Sequence, residues 1–118
     1  KQGTPFIYGG VFTIIDMSTS NISYSAPEFY LLNMAMAEMA RYYKLPMFST
    51  AGCSDSKTLD QQAGIEAGIS CLISALKGAN LIHDVGYLNS GLTASYEMLV
   101  MSDEIISMVK RITKGIYR

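Results

Sequence analysis

Tryptophan is absent from the sequence, proline occurs only 3 times, and charged residues make up just 16% of the chain. Set against 49% hydrophobic residues, so little charge excludes a chain held disordered by its own polarity. The net charge is −1, and no cluster of Lys and Arg exceeds the Lys110-Arg111 pair. Nucleic-acid binding needs a basic footprint, so no nucleic-acid partner is expected. Long apolar runs are missing too: nothing nears the ~20 residues that span a bilayer. No membrane partner is expected, and Lys1-Gln2-Gly3-Thr4-Pro5 lacks the apolar stretch of a secretory signal. Cys53 and Cys71 stand outside any CxxC or Cys/His spacing, so no metal site and no disulfide framework are expected. A reducing cytoplasm is the default location.

What is present is an alternation of apolar strands and helices. Pro5-Phe6-Ile7-Tyr8 and Val11-Phe12-Thr13-Ile14-Ile15 are β-branched and aromatic runs broken by Gly9-Gly10, and residues 16–25 form a polar loop. Ser25-Ala26-Pro27-Glu28 has the capping pattern of a helix start, and Leu32, Met36, Met39 and Tyr43 repeat at helical spacing up to Pro46. Pro46-Met47-Phe48-Ser49 is a short strand, followed by a loop over 50–57. A second helix is predicted from the Thr58-Leu59-Asp60-Gln61 box, with an apolar stripe of Ile65, Ile69, Leu72 and Leu76 and Gly78 closing it. Leu81-Ile82-His83-Asp84-Val85 is the next strand, residues 86–92 its loop, and Thr93 the cap of a third helix striped by Leu99, Ile105, Val109 and Ile112. The order βαβαβα favours a parallel sheet with right-handed crossovers, either a barrel or a doubly wound sheet. No G-x-G-x-x-G opens a helix, which weighs against dinucleotide binding. A full (β/α)8 barrel takes roughly 250 residues, so residues 1–118 are expected to be a partial barrel of about three β/α units. Ligands sit at the carboxyl ends of the strands in either architecture, which gathers residues 16–25, 50–57 and 84–93 on one face.

Four ordered blocks carry a resemblance over essentially the whole chain: GTPFIYGG, APEFYLLNMAMAEMARYYKLP, AGCSDSKTLDQQAGIEAGIS and GLTASYEMLVMSDEI. Together they resemble consecutive blocks of the trimethylamine methyltransferase family. The resemblance implies a segment of a (β/α)8 TIM-barrel enzyme that moves a methyl group from trimethylamine to the Co(I) corrinoid (cobalamin) of a partner protein in methylamine-dependent methanogenesis. It implies no cofactor bound directly, and it brings in pyrrolysine, a lysine acylated by a pyrroline ring, for which Lys57 is the candidate position. A quaternary amine such as glycine betaine is the alternative donor if this residue is ordinary lysine.

Independently of the family, Lys57 follows Ser54-Asp55-Ser56 just before a helix N-terminus, where the dipole disfavours a cation. A functional amine explains it, and so does an exposed loop lysine. Asp55 is the second catalytic candidate, holding substrate charge or orienting Lys57; an Asx-turn explains it equally. Asp84 ends a buried strand and is preferred as a substrate-binding residue to His83, whose side chain is expected to point the other way. Tyr87 and Tyr96 are candidate walls of an aromatic cage for a methylated ammonium, although most of the 8 tyrosines are expected to be packing. Glu97 sits in the first turn of the third helix, where the dipole favours a carboxylate anyway, and Asp16 ends the first strand region with similar standing. Met36 and Met39 read as core, Cys53 as the one thiol open to reaction, and Cys71 as buried. Two readings of other kinds remain: a different barrel enzyme forming a Schiff base on Lys57, or a non-catalytic fragment that associates through an uncovered face. A homo-oligomer is expected.

Overall fold

The architecture is that of a computed structural model, which describes residues 3–116. Lys1 and Gln2, part of the leader reading, lie outside the described residues. The elements in chain order are β1 (Tyr8–Gly9), α1 (Pro27–Tyr42), β2 (Met47–Thr50), α2 (Gln61–Leu76), β3 (Leu81–His83), β4 (Tyr87–Leu88), β5 (Thr93–Ala94) and α3 (Tyr96–Lys114). Strands β1, β2 and β3 form a parallel sheet in that order, with Tyr8 opposite Met47, Phe48 opposite Leu81 and Thr50 opposite His83. The fold is mixed α/β. Strands β4 and β5 make a small antiparallel hairpin, with β4 inside the stretch read as a loop and β5 at Thr93–Ala94, where the third helix was expected to start.

The extended run 11–15 makes no ladder. Only Ile15 pairs, antiparallel with Ile22, across a tight turn. Asp16 builds that turn: its carboxylate accepts from the Ser18 amide and hydroxyl and from the Thr19 hydroxyl, and its carbonyl accepts from the Ser20 amide. These local bonds compete successfully with strand formation.

Each helix starts at a different cap from the one its motif suggests. Ala26 precedes α1 without a side-chain cap, Pro27 fills the first turn, and Ser25 donates to the Cys53 carbonyl at 3.3 Å rather than capping. Asp60 accepts from the Ala63 amide at 2.9 Å and caps α2 in place of Thr58. Ser95 accepts from the Met98 amide at 3.1 Å and caps α3, because Thr93 is taken up in β5. At the other ends, α1 and α2 close alike. The Ala79 amide reaches the Ser74 carbonyl and Gly78 the Ala75 carbonyl, while Leu45 reaches Ala40 and Lys44 reaches Arg41. Both are Schellman closures, with Gly78 at φ +86° and Lys44 at φ +55° as the left-handed residue.

The buried faces of the helices are narrower and smaller-featured than their apolar stripes. On α2 the buried residues are Ala63, Ala67, Ser70, Cys71 and Ser74, while Ile65, Ile69 and Leu76 are exposed. Small side chains let α2 approach α3, where Met98, Ile105 and Val109 complete the core with Ala51 and Leu88. On α1, Phe29, Asn33, Met36, Ala37 and Ala40 are buried, whereas Leu32, Met39 and Tyr43 are not. Met36, Ala37 and Ala40 pack on Met47 of β2. Alternation along the strand therefore turns Phe48 to the opposite sheet face, where it and Leu81 stay partly exposed. No helix among the described residues is long and apolar enough to cross a membrane.

Candidate functional site

Three loops meet where the parallel strands end. Asp55, in the loop after β2, accepts from the Tyr24 amide at 2.9 Å, the Ser25 amide at 3.2 Å, the Ser90 hydroxyl at 2.9 Å and the Ser23 hydroxyl. One carboxylate thus ties the loop after β1 and the loop after β4 to its own. Glu66 of α2 supports it from below, accepting from the Asp55 amide at 2.9 Å and the Ser54 hydroxyl at 2.6 Å. Backbone bonds complete the seam, with the Ser54 amide on Tyr87, Asn89 on Ser56 and Ser90 on Ser54. Gly52 is required where the loops press closest: it adopts φ +74°, and a Cβ there would stand 2.5 Å from Val85 Cγ1.

The tied loops enclose a hollow of about 210 Å³ lined by Tyr24, Cys53, Asp84, Tyr87 and Gly91. Asp84 adopts φ +73°, a left-handed conformation that aspartate tolerates better than most residues. This turn overrules the strand alternation. His83 and Asp84 do not point apart; Nδ1 of His83 lies 2.6 Å from Oδ1 of Asp84. The imidazole stacks on Phe48, with centroids 4.0 Å apart, and its Nε2 lies 3.3 Å from the Thr50 hydroxyl. That side of the pair faces a second hollow of about 300 Å³, lined by Gly9, Gly10, Val11, Phe48, Thr50 and His83.

Burial, then the Asp55 and Asp84 charges, push the Cys53 thiol up to about 12, so it stays protonated and unreactive near neutral pH. This corrects its reading as the reactive thiol. Cys71 is buried as expected, and burial pushes it up to about 11. Burial raises the Tyr24 hydroxyl as well, followed by the Asp84 charge, so its ring is neutral in the hollow.

The structure distributes the remaining candidates unevenly. Lys57 is exposed in the loop that Asp55 anchors and makes no hydrogen bond or ion pair among the described residues. Tyr96 is 86% exposed and lines a groove beside Tyr87, together with Gly86, Ser95 and Leu99. Glu97 accepts from the Ser95 hydroxyl at 2.9 Å, and its own backbone amide, then Ser95, lower its carboxyl below the usual range. Asp16 is likewise lowered, first by the Ser18 hydroxyl, and both carboxylates are exposed. Tyr24 escaped the sequence reading, although its loop was already placed on this face. Among the described residues no cluster of His, Cys, Asp and Glu could hold a metal ion. A wider apolar hollow of about 340 Å³, lined among others by Cys71, Ala75, Ile82 and Val109, lies between α2, β3 and α3, away from the Asp55 seam.

The arrangement is that of a β/α segment with a small hollow built from loops at the carboxyl ends of parallel strands. The chain belongs to the trimethylamine methyltransferase family, whose model, described as trimethylamine methyltransferase (MTTB), matches residues 1–118. It is 37% identical over 116 residues to the trimethylamine methyltransferase MttB of Desulfitobacterium hafniense, covering 98% of this chain and 23% of that protein. It is 41% identical over 114 residues to MttB of Methanosarcina thermophila, covering 97% of the chain and 24% of the relative. A glycine betaine methyltransferase from a second strain of Desulfitobacterium hafniense is 40% identical over 116 residues, covering 98% of the chain and 24% of its own length. The chain therefore spans about a quarter of the curated relatives it matches, and that parent family is enzymatic.

Proposed function

We propose that the full-length protein transfers a methyl group from trimethylamine to the Co(I) of a corrinoid carried by a partner protein. In this reading the chain supplies three successive β/α units of a (β/α)8 barrel. Supporting the barrel are the parallel order β1-β2-β3, with each strand beside its sequence neighbour, and the partly exposed sheet face bearing Phe48 and Leu81. A cytoplasmic location fits two free cysteines.

One observation carries the functional reading: two tyrosines and a carboxylate line one small hollow at the strand ends. A methylated ammonium is attracted to aromatic faces by about 0.5–2 kcal/mol and to a carboxylate by charge. Tyr24, Tyr87 and Asp84 are assigned to holding that cation, and Tyr96 to the groove leading past Tyr87. Asp55, with both oxygens engaged, is assigned to orienting the Lys57 loop. The departing nitrogen must carry positive charge when its methyl leaves. A pyrroline ring on Lys57 supplies the electrophile that trimethylamine needs for this. Lysine itself is a nucleophile or a cation and cannot.

The second reading is a quaternary-amine donor such as glycine betaine, whose nitrogen is already charged. It is favoured by the lysine at position 57 and by the betaine relative. Methylation of Co(I) corrinoid protein, followed by its visible spectrum, separates the two. Trimethylamine is expected to serve the pyrrolysine form and not the lysine form, and glycine betaine serving the lysine form selects the second reading. If neither donor methylates cobalt with a competent partner, the proposed function is wrong.

A further inference from the structure

We propose that His83 is a positioning residue for the cation site: its Nδ1–H fixes Asp84, whose other oxygen then faces the methylated ammonium. The inference rests on the reading of the hollow given above. With Asp84 ionised, the 2.6 Å contact requires the proton on Nδ1, since a carboxylate only accepts. In the neutral ring Nε2 then accepts from the Thr50 hydroxyl at 3.3 Å, and in the protonated ring it donates to the same oxygen, so Nδ1 carries a proton toward Asp84 in either state. The stack on Phe48 fixes the ring plane. The imidazole is thereby held on three sides, by Asp84, Thr50 and Phe48.

Asp84 needs such a hold. Its φ of +73° lies in the left-handed region, which is uncommon for a residue with a side chain. Apart from the His83 contact, no hydrogen bond or ion pair reaches its carboxylate among the described residues. The pair sits on the wall between the two hollows, with Asp84 lining the one and His83 the other. A free carboxylate on a left-handed turn can rotate away from the hollow; one bonded to a stacked imidazole cannot do so without losing that bond.

The test uses the full-length protein with tetramethylammonium as probe, its dissociation constant measured by calorimetry in wild type, His83→Phe, His83→Asn and Asp84→Asn. Circular dichroism confirms that each variant is folded. Phenylalanine keeps the stack on Phe48 but removes the donor, so binding is expected to weaken roughly ten- to a hundredfold, the worth of a hydrogen bond to a charged group. Asparagine places an amide N–H near the Nδ1 position and is expected to restore most of it. Wild-type affinity in His83→Phe alongside weakened binding in Asp84→Asn overturns the inference while leaving the cation site standing. Equal loss in His83→Phe and His83→Asn overturns it as well, because the donor is then irrelevant, and so does a wild type that fails to bind the probe. A wild type that binds the probe but methylates no cobalt sinks the proposed function alone, and the binding series still decides the role of His83.

Discussion

Lys77 shows what a single residue can cost this fold. It closes α2, where the helix dipole favours a cation, yet it is 8% exposed and its ammonium has one long bond, 3.4 Å, to the Asn33 carbonyl. Burial lowers its amine to about 8. The folded value lies below the unfolded one, so between about pH 8 and the usual lysine range near 10.4 the unfolded chain binds more protons. Stability is therefore expected to rise with pH across that window, by about 3 kcal/mol in total. Lys77→Met is expected to flatten the rise, as read from urea midpoints by circular dichroism at micromolar concentration. An unchanged pH profile in the variant assigns the effect elsewhere. The site was only partly legible at this scale. Asp84 and Tyr87 follow a strand and could be placed by topology alone. The Asp55 clasp could not, because Ser23 and Ser90 lie 32 and 35 residues away in sequence. The contact between His83 and Asp84 depends on a left-handed φ that no motif marks.

Caps decide where the elements begin, and α3 provides the sharpest comparison. Thr93 and Ser95 are both suitable cap residues two positions apart, but only Ser95 accepts a bond from the helix, from the Met98 amide. Ser95→Ala is expected to cost about 1 kcal/mol in a thermal or urea melt. Thr93→Ala, at an exposed strand position, is expected to stay within about 0.5 kcal/mol. Equal losses from the two would return the cap to Thr93. The order of the main elements was legible because strand and helix periods alternate cleanly along the chain. The caps were not, since Thr58 and Asp60, or Thr93 and Ser95, satisfy the same pattern until the preceding turn is known. The buried stripes misled for a related reason. Periodicity weights large apolar residues such as Ile65 and Ile69, whereas α2 packs through Ala63, Ala67 and Cys71, whose small size permits close approach.

The apolar residues that packing leaves outside add up over the whole molecule. Phe48 and Leu81 are 39% and 49% exposed on the sheet face away from α1, and Ile65 and Leu76 on α2 are 60% and 64% exposed. Leu31 on α1 and Ile112 on α3 add 61% and 57%. Scattered apolar residues are ordinary on a protein surface, but here they cover an open sheet face and the outer sides of all three helices. A net charge of −1 offers little repulsion against their association. The chain is therefore expected to self-associate in solution, with a light-scattering mass above that of one copy and rising with concentration. Phe48→Glu, which places charge on the open sheet face, is expected to lower that mass. If Phe48→Glu leaves the mass unchanged while Ile65→Glu lowers it, the contact runs through α2 instead. A monodisperse monomer at high concentration would mean that neither face drives association, and the expected homo-oligomer would have no basis in this surface.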